Sequence, residues 1–240
     1  MLLVLVAIGV AGGRTSSSAP PTGTVTAAVA GTEAAPSRTT AGSAGQRPTA
    51  LSALGALTVN DSPSFSGYQR TLFGYRAVDL DRNGCDTRND ILRRDLRGVV
   101  LKPGTHDCVV LSGTLLDPYS GATIEFTRGA STSDDVQIDH VVALANAWAS
   151  GASRWDQAER YRLGNDPLEL LAVSGPLNTQ KSDADAAHWL PPDRAYRCAY
   201  VARQIAVKSS YSLTVTTAER TAMAHVLATC PDQRLPTGAA

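Results

Sequence analysis

The sequence predicts an α+β domain behind a long unstructured leader. Three observations carry the prediction. Two short runs rich in Val, Ile, Thr and Phe flank an Asp117-Pro118-Tyr119-Ser120-Gly121 turn, several later stretches have helical composition, and four cysteines fall into an early and a late pair. With 240 residues, 43% apolar and 18% charged, the chain can bury one core of moderate size. This composition excludes collagen, coiled coils and multi-span membrane proteins.

Taken in order, Leu2–Val10 is an apolar run too short to cross a bilayer of roughly 30 Å, and it fits the core of a secretory signal, although no Lys or Arg precedes Leu2. Residues 1–13 are therefore expected to be signal-like. Residues 14–60 form an Ala/Ser/Thr/Pro/Gly linker whose few large apolar groups cannot offset its ordering entropy. A folded domain is expected over 61–232 and a tail over 233–240. The domain opens with a loop and a helix, Asp90–Leu96, with Asn89 as its N-cap. Cys108–Ser112 and Ala122–Thr127 form an antiparallel hairpin across the 117–121 turn. A short strand at Val136–Ile138 precedes helices at Val141–Trp148 and Arg154–Leu163, the second capped by Ser153 and stopped at Gly164-Asn165-Asp166-Pro167. Leu168–Val173 reads as a buried strand, Ser174-Gly175-Pro176 as a turn and Asn178–Ala187 as a helix. Two more helices follow the Trp189–Pro192 break, Arg194–Ser209 and Ala218–Thr229, with Thr216 or Thr217 capping the latter.

Charge narrows the possible partners. Basic and acidic side chains number 22 each, so the chain lacks the excess of Lys and Arg on which non-specific affinity for DNA depends. An enzyme acting on nucleic acid must then concentrate its arginines locally or use a metal ion. Cys85, Cys108, Cys198 and Cys230 show no C-x-x-C spacing that would suggest zinc. In an exported chain two disulfides are expected. Three connectivities are open, and Cys85–Cys108 with Cys198–Cys230 is favoured, each closing a loop worth roughly 3–4 kcal/mol.

The stretch that carries chemistry runs from a strand ending in Asp139-His140, through inserted helices, to strand Leu168–Val173 and then Asn178-Thr179-Gln180-Lys181 opening a helix. It resembles the ββα-metal core of HNH-type nucleases, where a D-H pair ends the first strand and an N-x-x-K signature starts the helix. Tyr68–Phe73, Asn83–Asp90, Asp117–Tyr119, Asn165–Pro167 and Trp189–Pro192 extend the likeness to a family of secreted actinobacterial HNH endonuclease-like proteins, covering nearly all of Gly67–Cys230. The resemblance implies a ββα-metal core with inserted and C-terminal helices and an N-terminal antiparallel hairpin. It also implies an extracellular, metal-dependent endonuclease, monomeric and free of the membrane once mature, acting on nucleic acid, with DNA ahead of RNA.

Phosphodiester hydrolysis needs a deprotonated water, a neutralised phosphate and a stabilised leaving oxygen. His140 is the candidate general base, because imidazole titrates near neutrality. Asp139 and Asn178 offer hard oxygen ligands for Mg²⁺, with Mn²⁺ or Ca²⁺ as substitutes. Lys181, one turn from Asn178, could touch a phosphate or tether a neighbouring carboxylate. The pattern expects a middle Asn that holds the base; Glu169 stands there instead, with Asn165 or Asp166 as the fallback. Arg88 is the candidate contact to a substrate phosphate. Asp183 and Asp185 read as helix-dipole partners and His188 as structural, while His106 and His225 have no evident partner.

A rival motif lies upstream. Asp79, Asp81, Asn83, Gly84 and Asp90 fall at positions one, three, five, six and twelve of an EF-hand-type loop. Position eight, normally apolar, is Asp86, and position twelve lacks the usual Glu. The second functional reading is thus a non-catalytic extracellular module with a calcium-stabilised loop at Asp79–Asp90.

Overall fold

Thr49 accepts the Ser52 N–H on its hydroxyl (3.1 Å), which caps helix α1, Ala50–Ala56. This computed structural model describes residues 48–74 and 79–237. The signal-like segment 1–13 and residues 14–47 of the expected linker lie outside them. The expected linker extended to residue 60, but α1 is helical and buries Ala50 and Leu54, four residues apart on one face. Gln233 and Arg234, expected in the tail, also dock: the Gln233 carbonyl accepts the Ala50 N–H (2.8 Å) and Arg234 bridges Thr49.

Helix α2, Thr87–Asp95, starts three residues before the expected helix because Asp86, not Asn89, is its cap, accepting the Asn89 N–H at 2.8 Å. Asn89 turns inward instead, and its amide oxygen accepts from the Val110 N–H at 3.0 Å. Leu96, read as the last residue of that helix, begins strand β1, Leu96–Leu101. Strands β2, Val110–Leu116, and β3, Thr123–Thr127, complete an antiparallel sheet of order β1-β2-β3. The hairpin across the 117–121 turn is present, and β1 is the edge strand that composition alone missed.

The second sheet pairs β4, Val136–His140, antiparallel with β5, Leu170–Ser174, placing His140 opposite Leu170 and Asp139 opposite Leu171. Between them lie α3, Leu144–Ser150, a short 3-10 turn at Ala152–Arg154, and α4, Gln157–Gly164. Asp156, not Ser153, caps α4. Val141 and Val142, expected in a helix, form a bend after β4, and their N–H groups donate to the Glu169 carbonyl (3.0 Å) and carboxyl Oε2 (3.1 Å), respectively.

Helix α5, Gly175–Lys181, leaves β5 directly. It ends six residues before the expected Ala187, because Ser182 adopts a left-handed backbone with φ 51°. A Cβ on Gly175 would lie 1.8 Å from the Asp134 carbonyl oxygen, so only glycine permits this strand-to-helix junction. Helices α6, Arg197–Ser210, and α7, Thr217–Leu227, close the chain, with Thr216 capping the last.

Alternation along β5 explains where the core sits. Leu170 and Ala172 join a smaller apolar cluster with Ile91, Leu92 and Phe126, while Leu171 and Val173 join a larger one with Leu144, Tyr200 and Ile205. The β4–β5 pair therefore stands between two cores. Both favoured disulfides are formed: Cys85–Cys108 ties the start of α2 to the β1–β2 connection, and Cys198–Cys230 ties α6 to the end of α7.

Candidate functional site

The end of β4 carries the candidate pair Asp139 and His140. Because successive strand residues point to opposite faces, Asp139 and His140 diverge from one backbone. The buried His140 ring places Nε2 2.9 Å from the Gly164 carbonyl oxygen. A carbonyl can only accept, so Nε2 carries the proton and Nδ1 keeps the lone pair. Burial, with the charges of Arg70 and Lys181, lowers its pKa to about 3 against the opposing pull of the Gly164 carbonyl. The imidazole is therefore neutral at physiological pH.

Asp139 is held from two sides. Its Oδ1 accepts from Lys181 Nζ at 2.9 Å, and its Oδ2 accepts from the Tyr119 hydroxyl. The same ammonium donates to the His140 carbonyl at 2.8 Å. Lys181, buried on α5, thus fastens both residues of the Asp-His pair to the helix that follows β5. Burial, and then the Asp139 charge, push the Tyr119 hydroxyl well above its ordinary pKa, so it stays a donor.

Asn178, one helical turn before Lys181, donates from Nδ2 to Gln137 Oε1 at 2.9 Å, which leaves its amide oxygen for a ligand. Two clefts meet here. One, of about 400 Å³, is lined among others by Arg88, Asn89, Arg128 and Asn165; the second, of about 470 Å³, by Tyr68, Asp139, Ala143 and Asp183. Arg70, Gln137, His140 and Asn178 line both. Asp139, His140 and Asn178 consequently border one cleft, the second.

The remaining expected residues divide. Arg88 lines the first cleft, with NH2 donating to the Ser133 and Val136 carbonyls. Asn165 is buried there too, but its Nδ2 donates to the Tyr161 carbonyl and its Oδ1 has no hydrogen-bond partner among the described residues. Glu169 is fully buried behind the strands and serves the Val142 N–H, and burial raises its pKa well above the ordinary value. The group that sets the His140 ring is neither of these side chains but the backbone of Gly164. Asp185 pairs with the exposed His188 at 2.6 Å and neither lines the clefts, whereas Asp183 borders the second. Sequence reasoning passed over Tyr119, Arg70 and Gly164. Tyr119 and Arg70 lie within the stretches that carried the family likeness, which is the signal that could have marked them.

The Asp79–Asp90 loop uses its acids on itself. Asp79 accepts from the N–H groups of Asn83 (3.1 Å) and Gly84 (2.9 Å), and the Asn83 amide donates to Asp81 (2.9 Å) and Asp90 (3.1 Å). These are turn-closing bonds. Among the described residues no group of three or more His, Cys, Asp or Glu side chains converges on a metal position. The second cleft nevertheless offers the carboxylates of Asp139 and Asp183 and the amide oxygen of Asn178 with no thiolate, and that donor set fits a hard cation that keeps several waters.

Residues 86–226 match the family described as GmrSD restriction endonucleases, C-terminal domain. The match spans every residue named at the two clefts except Tyr68 and Arg70. A protein of Arthroderma benhamiae named as an uncharacterized secreted protein is 39% identical over 184 residues, which cover 76% of this chain and 85% of that one. No solved structure matches. With more than half of its length matched in this way, the chain belongs to the family of the GmrSD restriction endonuclease C-terminal domain.

Proposed function

We propose that the protein is an exported HNH-type endonuclease that hydrolyses phosphodiester bonds of nucleic acid, DNA ahead of RNA. The observation that carries this reading is the second cleft. It is bordered by Asp139 and His140, at the end of β4, and by Asn178, on the helix that leaves the partner strand β5. Family membership supports the nuclease class, and the name of the relative supports export.

In this reading the neutral His140 takes a proton from water on Nδ1, because Gly164 holds the Nε2 proton in place. Asp139 and Asn178 would hold a divalent ion, Mg²⁺ or Mn²⁺, which when bound neutralises the phosphate and the leaving oxygen. Arg70, at the junction of both clefts, and Arg88 and Arg128 in the first give the local positive charge that the near-neutral chain otherwise lacks. Gln137 fixes the Asn178 amide. Lys181 positions the Asp-His pair rather than meeting substrate.

The test is cleavage of supercoiled plasmid by the purified chain with Mg²⁺ or Mn²⁺, in parallel with single-stranded DNA and RNA. His140→Ala should lower turnover by about 10² to 10⁴. Because the truncation leaves a cavity and strands the Gly164 carbonyl, it should also melt lower than wild type, so cleavage is compared at a temperature where both proteins are folded. Wild-type protein inert toward all three substrates across several divalent ions would end the proposal.

A further inference from the structure

Tyr119 lies in a turn twenty residues ahead of Asp139, yet its hydroxyl is bonded to that carboxylate in a fully buried setting. The turn is built to deliver it. Asp117, itself buried, accepts on Oδ1 from the N–H groups of Tyr119 (3.2 Å) and Ser174 (3.0 Å), which anchors the β2–β3 turn to the last residue of β5. Its Oδ2 accepts from the Ser120 N–H at 3.0 Å and from the Ser120 hydroxyl. From the other side, the Asp193 N–H donates to the Tyr119 carbonyl at 3.0 Å. The ring packs against Trp189 and Tyr200, with centroids 4.9 and 5.7 Å away. The first sheet thus sends one phenol into the second sheet, at the oxygen of Asp139 that Lys181 leaves unbound.

We infer that Tyr119 is a positioning residue that presents the Asp139 carboxylate to the second cleft in the one orientation able to bind a divalent cation. The inference rests on the nuclease reading above and adds a residue to it. A carboxylate gripped only by Lys181 rotates about its last bond and loses ordering on binding a cation. One gripped at both oxygens has that ordering already in place. The short-range sequence holds no hint of this, because the contact joins the turn of one sheet to the strand end of another.

The test compares wild type with Tyr119→Phe and, as control, Tyr200→Phe. Phenylalanine keeps the ring in its aromatic surroundings and removes only the hydroxyl, so the variant folds. Tyr200 is equally buried, but its hydroxyl accepts from Gln204 Nε2 at 3.0 Å. Mn²⁺ binding to the metal-free full chain is measured by titration calorimetry, together with thermal melting and plasmid cleavage over a range of Mn²⁺. Tyr119→Phe should weaken Mn²⁺ binding by about ten-fold, and saturating Mn²⁺ should restore the wild-type kcat. Tyr200→Phe should bind Mn²⁺ like wild type with a comparable change in melting temperature. Unchanged or tighter binding by Tyr119→Phe overturns the inference, as does an equal loss in Tyr200→Phe. Wild-type protein that binds no Mn²⁺ overturns it together with the nuclease reading, whereas binding by wild type with no effect of the Phe variant defeats the inference alone.

Discussion

Lys181 is accommodated in the interior because two acceptors, the Asp139 carboxylate and the His140 carbonyl, take the place of water around its side-chain nitrogen. Removing one member of such a pair costs far more than the pair contributes, since the other charge is left buried and alone. Lys181→Met should therefore destabilise the fold by about 3–5 kcal/mol, read as a lower urea midpoint. A loss near the roughly 0–1 kcal/mol of an exposed pair would mean that water reaches Asp139. The one-turn spacing of Asn178 and Lys181 was legible in the sequence, as was the suggestion that Lys181 tethers a carboxylate. The tether's true extent, to Asp139 and the His140 backbone together, depends on the pairing of two strands separated by two helices.

At the scale of elements, two glycines fix the junctions around the site. A Cβ on Gly164 would lie 2.5 Å from the Phe73 carbonyl oxygen, so this glycine lets the 3-10 turn at Arg70–Phe73 close against the end of α4. The Gly164 carbonyl meanwhile holds His140. One backbone position accordingly couples the turn that carries Arg70 to the orientation of the base. Gly164→Ala should lower stability by about 1–3 kcal/mol through overpacking and reduce kcat by more than His140-independent unfolding explains. Circular dichroism and cleavage measured at a temperature where the variant is fully folded separate the two effects, and full activity there would uncouple Gly164 from the base. Helix ends in this region were misread for a related reason. Val141 and Val142 have helical composition, but their N–H groups find Glu169, and the backbone follows the bond that burial leaves available.

Across the whole molecule, burial of His140 and Glu169 makes two opposed contributions to the dependence of stability on pH. His140 titrates at about 3 in the fold against an ordinary 6.5. Between those values the unfolded chain binds the extra proton, so stability falls as the pH drops from 6.5 toward 3. Glu169 has the opposite sign. Its pKa is raised well above 4.5, so the native state holds the extra proton and stability is lost as the pH climbs from 4.5 through the folded value. The two effects oppose each other between about 4.5 and 6.5, where the metal-free protein should melt at its highest temperature. Glu169→Gln should reduce the loss of stability as the pH climbs above 4.5, measured by calorimetric melts of the metal-free chain from pH 4 to 9. An undiminished alkaline decline in that variant would assign the effect to other groups.

The α+β class, the hairpin around Asp117–Gly121 and the local order of Asp139-His140 and Asn178-x-x-Lys181 were legible in the amino-acid sequence, because each follows from composition, turn chemistry or fixed spacing along one element, whereas among the three possible disulfide connectivities the sequence only favoured the one that the fold forms. Only the tertiary structure decided that α1 belongs to the fold, that Leu96 begins a strand, that Glu169 serves the backbone, and that Gly164 and Tyr119 hold His140 and Asp139. Those outcomes depend on contacts between segments far apart in the chain. There, the requirement that every buried polar group find a partner outweighs local propensity.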